Sequence, residues 1–275
     1  GQCRSTALRA VRAATRPCRA PVPPEEREKP RLLTPISADV LTRARVEVIG
    51  RMAYSSNATF LVRCRDDQAE GSAAELLAVY KPAAGERPLW DFPPDSLHRR
   101  EVAAYELSRW LGWDLVPATV RREGDELGPG SLQAFVDHDP EKHYFTLLEG
   151  HRRTFKRLAF FDLLANNADR KSGHCLLDRT GRVWAIDHGL TFHVEPKLRT
   201  VIWDFAREPF PARERQAAAR LHASLSESHS EISNIMRTLL TVEEAAALSR
   251  RAKAASVAGV FPQPGSSWAF PWPLV

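Results

Sequence analysis

The run "VEVIGRMAYSSNATFLVRC" (46–64) alternates apolar and polar positions on either side of a polar turn, and so predicts strand, turn, strand. "ELLAVYKP" (75–82) predicts a third strand, stopped by Pro82. The period then changes. In "SLHRREVAAYELSRWLG" (96–112), Ala103, Leu107, Trp110 and Leu111 form a helical stripe, with Ser96 placed to cap it and Gly112 to close it. "GSLQAFVD" (130–137) predicts another strand. A Phe- and Leu-rich helix is expected over about 153–166. "HCLLDRTGRVWAID" alternates around Thr180-Gly181 and predicts a hairpin. The last third is helical, and no internal repeat is visible. The tail "FPQPGSSWAFPWPLV" is rich in Pro and Trp; its tryptophans either meet an interface or fold back on the core. Strands first and helices after predict an α+β, two-lobed architecture with a cleft. On this reading 31–133 is an N-lobe, 134–260 a C-lobe and 261–275 a tail.

Composition adjusts this picture in a few places. Residues 1–22 hold Arg4, Arg9, Arg12, Arg16 and Arg19 and no acid, and residues 21–30 read "PVPPEEREKP". Residues 1–30 therefore read as a disordered extension with a prolyl linker, similar in composition to a transit peptide. The opening "GQCRS" also fits, loosely, a myristoylation pattern. The net charge of +5 lies largely in that segment, so no nucleic-acid partner is expected. No run of about 18 apolar residues occurs, so no membrane span is expected. Four cysteines without a C-x-x-C pair fit a reducing, cytoplasmic setting. Arginine outnumbers lysine 32 to 7, which makes each lysine conspicuous.

The chemistry gathers around "NNADRKSGH" (166–174), a polar stretch between apolar segments. Pairing centred on Thr180 puts Leu177 opposite Val183 or Trp184, and His174 opposite Ile186 or Asp187. Opposed side chains sit about 5 Å apart, so Asp187 returns beside His174 and the loop holding Asp169. Two carboxylates that close need a positive charge between them. A divalent cation, aided by Arg170 or Lys171, is one answer, and oxygen ligands with an imidazole suit Mg²⁺ or Mn²⁺. A solvated loop, with Asp169 paired to Arg170 or Lys171 and Asp187 capping a turn, is the other. Upstream, Lys81 ends an apolar strand and Glu101 lies in the first turn of the next helix. That is how kinases hold a phosphate-binding ammonium, although strand-end lysines and first-turn glutamates are also ordinary. The turn "YSSNAT", with Ser55, Ser56 and Asn57, could offer backbone N–H groups to phosphates, but it lacks a glycine signature.

In this order the pieces resemble the kinase-like superfamily of phosphatidylinositol 3- and 4-kinases and HipA-type kinases. "NNADRKSGH" resembles the catalytic loop of type II phosphatidylinositol 4-kinases, and "AIDHGLTF" their metal-binding motif. The stretch from "YKPAAGERPLWDFP" to "DHGLTFHVEPKLRTVIWDF" is similar to an actinobacterial family related to these kinases. The resemblance covers about 40–250. It implies a bilobal protein-kinase-like fold with a strand-rich N-lobe and a mainly helical C-lobe. It implies Asp169 as catalytic aspartate with Arg170 and Lys171 beside it, and Asp187 as metal ligand. Lys81 would contact phosphates, oriented by Glu101. Gln133, Ala134 and Phe135 would lie near the adenine of ATP.

One position departs from the family. Where it places a second metal-ligand Asn, this chain has His174. A Mn²⁺ preference, a structural or catalytic His174 with Asn166 or Asn167 on the metal, and weakened catalysis all remain open. His188 is expected to face away, and His193 to pack beneath the loop. Lys197 and Arg199 follow in the substrate segment and would meet a headgroup phosphate or an acidic protein site, or pair with Glu195 and Asp204. The expected activity is ATP- and divalent-metal-dependent transfer to a hydroxyl of a protein, small molecule or inositol lipid. Two rivals stand beside it: a pseudokinase or nucleotide-binding regulatory module, and a metal-dependent hydrolase built on Asp169, His174, Asp187 and His188 or His193.

Overall fold

The computed structural model describes residues 36–53, 55, 57–66, 76–124 and 126–274. The expected N-terminal extension and Ser56 lie outside them. The chain divides into two units. The first comprises residues up to His98 together with Ala118–Phe135. The second comprises Arg99–Pro117 and everything from Val136 onward.

Among the described residues, unit 1 is a five-stranded antiparallel sheet beside one short helix. In chain order its elements are α1 (Ala38–Arg43), β1 (Arg45–Arg51), β2 (Phe60–Arg65), β3 (Leu76–Pro82), β4 (Thr119–Arg122) and β5 (Gly130–Ala134). The spatial order is β1-β2-β3-β5-β4. β2 alternates buried Phe60, Val62 and Cys64 with more open neighbours, as a strand with one covered face must. These side chains meet Leu41 of α1, Ala78, Tyr80 and Leu132 in one core. Arg122 of β4 fastens α1: Nη1 donates to the carbonyls of Leu41, Thr42 and Ala44 at 2.6, 2.9 and 3.1 Å. Those are carbonyls that a helix end leaves without intrahelical partners. β5 begins at a glycine for a steric reason. A Cβ on Gly130 would lie 2.6 Å from the Lys81 carbonyl oxygen and 2.8 Å from the Tyr80 ring.

The helix α2 (Leu97–Trp110) starts against a buried carboxylate. Glu86 accepts the backbone N–H groups of Leu97 and His98 at 3.1 and 2.8 Å and meets His98 Nδ1 at 2.8 Å. Ser96, the expected cap, donates its hydroxyl to the Pro93 carbonyl at 2.6 Å. Glu86→Ala is expected to cost about 1–2 kcal/mol, read as a lower urea midpoint. Burial pulls the Glu86 carboxyl upward, but the hydrogen bonds from His98 and Leu97 outweigh it and hold the group below its ordinary value. A depressed carboxylate contributes stability that is complete above its unfolded pKa and is lost as pH falls through the folded one. The gap between wild-type and Glu86→Ala midpoints should therefore close as pH is lowered from about 6 toward 3.

Unit 2 takes α2 from Arg99 onward, with α3 (Tyr144–Ala165), β6 (Cys175–Leu177), β7 (Val183–Ala185), α4 (Ala212–Ser226), α5 (Glu231–Leu239) and α6 (Val242–Val257). α3 contains the expected 153–166 helix and extends back across a break in helical geometry at His151. Its Phe155, Leu158, Phe160, Phe161 and Leu164 are buried with Leu107, Phe192, Phe205, Leu221, Met236 and Leu248. α6 opens on a capping box: Thr241 Oγ1 accepts from Glu244 N–H, and Glu244 Oε2 accepts from Thr241 N–H. The tail is tied down through its backbone. The Leu274 carbonyl accepts from Ser172 N–H at 2.9 Å, and the Ala269 carbonyl from Thr200 N–H at 3.0 Å. Trp268 and Trp272 are nevertheless 77% and 88% exposed, so neither folds back into the core.

Candidate active site

α3 ends in Asn166, which adopts a left-handed conformation (φ 53°). Asparagine tolerates this better than most residues because its short amide bonds the nearby backbone. Here Nδ2 donates to the carbonyls of His193 and Glu195 at 3.0 and 2.7 Å, and Oδ1 accepts from Lys197 N–H at 2.8 Å. Asn167 is also committed. Its Oδ1 accepts from Asp169 N–H at 2.9 Å and its Nδ2 donates to Asp162 at 3.0 Å. Both amides thus hold backbone and carboxylate partners within the fold, which leaves little for the metal role the sequence had left open to them.

Arg170 lies between α3 and the β7 end and is wholly buried. It donates Nε and Nη2 to Asp162 at 2.9 and 3.0 Å, Nη1 to the Ile186 carbonyl at 2.8 Å, and Nη2 to His188 Nε2 at 2.7 Å. A guanidinium so enclosed cannot reach a substrate. Its geometry is that of a group positioning its neighbours, a correction to the catalytic part expected of it. His188 accepts that N–H through Nε2, so it stands as a neutral ring facing inward.

The hairpin registers Leu177 with Val183 and Cys175 with Ala185, and Ile186 N–H donates to the His174 carbonyl at 3.0 Å. Asp178 closes its turn by accepting from Thr180 and Arg182 N–H. Asp187 follows with φ 59°, an unusual conformation for a residue other than glycine. His174 Nε2 stands 3.3 Å from Asp187 Oδ2, and Lys171 Nζ stands 3.1 Å from Asp169 Oδ2. Burial pushes the Asp169 carboxyl up. Lys171 opposes this, while the charge of Asp187 adds to it. Asp169 thus pairs with Lys171, as the solvated-loop reading expected, while His174 and Asp187 come together, as the hairpin reading expected.

Two residues of α2 hold the segment after Asp187. Glu101 Oε2 accepts from His188 N–H at 3.0 Å, and Arg100 Nη1 donates to the Thr191 carbonyl at 2.7 Å. Arg100 Nη2 also pairs with Glu244. Glu101 therefore has a partner, the His188 backbone, that its expected part in orienting Lys81 did not include. The segment 197–201 runs alongside the loop 166–174. Arg199 N–H donates to the Asn167 carbonyl, Arg170 N–H to Arg199, and Val201 N–H to Arg170, at 2.9, 3.0 and 3.0 Å. Lys197 and Arg199 are both half-buried there. Arg100 and Asp162 were missed in the sequence. Asp162 left a signal, an acid inside the apolar run "FFDLLA".

In unit 1, Lys81 is half-buried in β3 and registers with Ser131. Ser55 Oγ lies 2.7 Å from Thr59 Oγ1, and Asn57 Oδ1 accepts from Arg87 N–H at 2.9 Å. Gln133 is buried and donates to Thr119 Oγ1 at 2.8 Å. The N–H groups of Ala134 and Phe135 are used by the sheet, on the carbonyls of Ala118 and Leu77 at 2.8 and 3.0 Å. Gln133 Nε2 and both of these N–H groups are thus already engaged within the sheet.

The model of the family "Phosphatidylinositol 3- and 4-kinase" matches residues 71–256, more than half of the chain. Protein Rv2133c of Mycobacterium tuberculosis is 36% identical over 268 residues, covering 85% of this chain and 94% of that protein. Among solved structures, the Helicobacter pylori proinflammatory kinase CtkA aligns at a TM-score of 0.48 and 11% identity, over 79% of this chain and 93% of that one. Hydra Fam20, solved with sugar, aligns at 0.47 and 14% identity, over 80% and 86%. By the extent of the family match and of its mycobacterial relative, the chain belongs to the phosphatidylinositol 3- and 4-kinase family.

Proposed function

We propose that the chain is an ATP- and divalent-metal-dependent phosphotransferase that acts on a hydroxyl. The observation that carries this reading is that the loop braced by Arg170 presents Asp169, held by Lys171, while the returning hairpin brings Asp187 beside His174 of the same loop, close enough for the Asp187 charge to help raise the Asp169 carboxyl. A raised carboxylate is a better proton acceptor than an ordinary one. In the proposed step the acceptor oxygen attacks the γ-phosphorus of ATP, and Asp169 takes the hydroxyl proton. The new O–P bond forms as the bond to the β-bridging oxygen breaks, and ADP leaves with the electron pair. Lys171 holds Asp169 in place. Lys81 is read as the phosphate contact, on its place at the end of β3.

The donor set fits a hard cation. Among the described residues no group of three or more His, Cys, Asp or Glu side chains could hold a metal alone. Mg²⁺ commonly uses one or two carboxylates and takes its remaining ligands from phosphates and water. Asp187 would be the principal ligand, and the cation would neutralise phosphate charge. His174 acts differently from an asparagine. Its Nδ1 accepts the Lys171 N–H, a long bond at 3.5 Å, so Nε2 carries the proton toward Asp187. In that tautomer His174 orients Asp187 as a donor, and Asp187 supplies the charge.

The test is thermal unfolding with ATP and Mg²⁺ or Mn²⁺. Wild type should gain melting temperature only when nucleotide and metal are both present. Asp187→Ala should abolish the gain, and His174→Ala should leave it reduced. No gain in wild type at millimolar nucleotide with either metal would sink the reading. A gain that survives in Asp187→Ala would remove Asp187 from the metal site. The acceptor is read more broadly than the family's name: a protein or small-molecule hydroxyl stands beside an inositol headgroup.

A further inference from the structure

Within unit 2, away from Asp169 and Asp187, a cavity of about 420 Å³ opens between the α6 C-terminus and the segments 207–210 and 260–263. That volume falls within the range of about 300–1,000 Å³ usual for small-molecule sites. Its walls are apolar, with Leu163, Phe210, Ala254 and Phe261 among them. Three polar side chains line it, Arg207, Arg251 and Gln263, and no acid does. Arg207 and Gln263 are exposed, and Arg207 Nη2 donates to Gln263 Oε1 at 2.8 Å. Arg207 is held at φ 67° by paired backbone bonds: its N–H donates to the Phe261 carbonyl and Phe261 N–H to Glu208.

Arg251 carries a charge that the fold leaves poorly matched. Its Nε and Nη1 donate to neutral acceptors, the carbonyls of Leu164 and His193, at 2.8 and 3.1 Å. Its Nη2 is buried without a partner among the described residues. The nearby Glu244 is taken by Arg100 and Thr241. Burial, with Arg250 adding to it and Glu244 opposing, pulls the guanidinium down to about 10. A partly buried cation without a counter-charge is costly, and an anion nearby relieves that cost.

We propose that this cavity binds an amphiphilic carboxylate, a medium-chain acyl anion, with its chain among the apolar walls and its head beside Arg207, Gln263 and the field of Arg251. The site is wired to the catalytic loop. The His193 carbonyl that accepts from Arg251 also accepts from Asn166 Nδ2, and Leu164 lies in the last turn of α3. Leu163, Phe261 and Pro262 also wall a second, smaller void beneath Leu198, Thr200 and Trp203 of the substrate segment. An occupant therefore stiffens both strands that meet at Asn166.

The probe is octanoate at submicellar concentration, titrated calorimetrically into the full chain. Saturable binding with a Kd near or below about 1 mM is expected. Octanol, which lacks the charge, should bind about tenfold more weakly. Ala254→Trp fills the cavity from an exposed position and should abolish binding; Arg207→Gln should weaken it several-fold. Asp187→Ala should bind octanoate as wild type does, which separates this site from the phosphotransfer reading. No saturable binding, or binding unchanged in Ala254→Trp, would overturn the proposal. Bound octanoate should also slow hydrogen exchange across 163–168 and 191–200. Protection confined to 254–263 would overturn the coupling.

Discussion

Asp169→Asn should lower phosphoryl transfer by about 10²–10⁴-fold, the usual worth of a positioned general base. The same variant should keep the gain in melting temperature from ATP and metal. The substitution is nearly isosteric, and an amide still accepts from Lys171, which stands 3.1 Å from the native carboxylate. What it removes is proton affinity. In the native site that affinity is raised by burial and by the charge of Asp187, against the pull of Lys171. A base so arranged is useful only when an acceptor hydroxyl must lose its proton, so binding and transfer should separate cleanly. Transfer from labelled ATP to a cell extract, or to water, is the readout. Transfer equal to wild type would remove Asp169 from the chemistry. Nucleotide binding with no transfer even in wild type would favour a nucleotide-sensing module.

Arg170→Met should cost about 3–5 kcal/mol of stability, because breaking a buried ion pair leaves the other charge stranded. Arg170 and Asp162 are both fully buried, and one guanidinium serves Asp162, Ile186 and His188 together. Loss of the side chain leaves Asp162 with Asn167 Nδ2 as its remaining side-chain donor among those described above. Pairing the change with Asp162→Leu should recover part of the loss, since two apolar groups then replace two charges. Urea midpoints of the two single variants and the double variant decide it. A single-variant loss within about 0.5 kcal/mol would class Arg170 with ordinary surface positions. The same substitution should also depress transfer, because Ile186 and His188 flank Asp187.

The elements with strong local periodicity were legible in the chain. β2, β3, the stripe of α2 and the second half of α3 follow from alternation or from the helical repeat. The hairpin was legible to within one residue: Thr180-Gly181 marks the turn, counting left Val183 or Trp184 opposite Leu177, and the fold pairs Leu177 with Val183. α1 and β4 were not. Each is short, and each is held by partners distant in sequence, Arg122 reaching back to Leu41, Thr42 and Ala44. The helix cap divided in the same way. Ser96 looked like the cap from its position, but Glu86, eleven residues before Leu97, supplies the carboxylate to the helix N–H groups.

The same division runs through the site. Sequence alone narrowed the groups that could do chemistry to the polar side chains of "NNADRKSGH" and "AIDHG", and the turn between them brings the two stretches together. Tertiary structure decided which of those groups the fold itself consumes. Asn166, Asn167 and Arg170 are as polar as Asp169, yet their donors are consumed by Asp162, His193 and Glu195, contacts set by where α3 ends and where the chain returns. Glu101 likewise acquires the His188 backbone only because α2 packs there. A side chain's chemistry is local to its residue, whereas its partner depends on distances across the folded chain, and no spacing along the sequence records those.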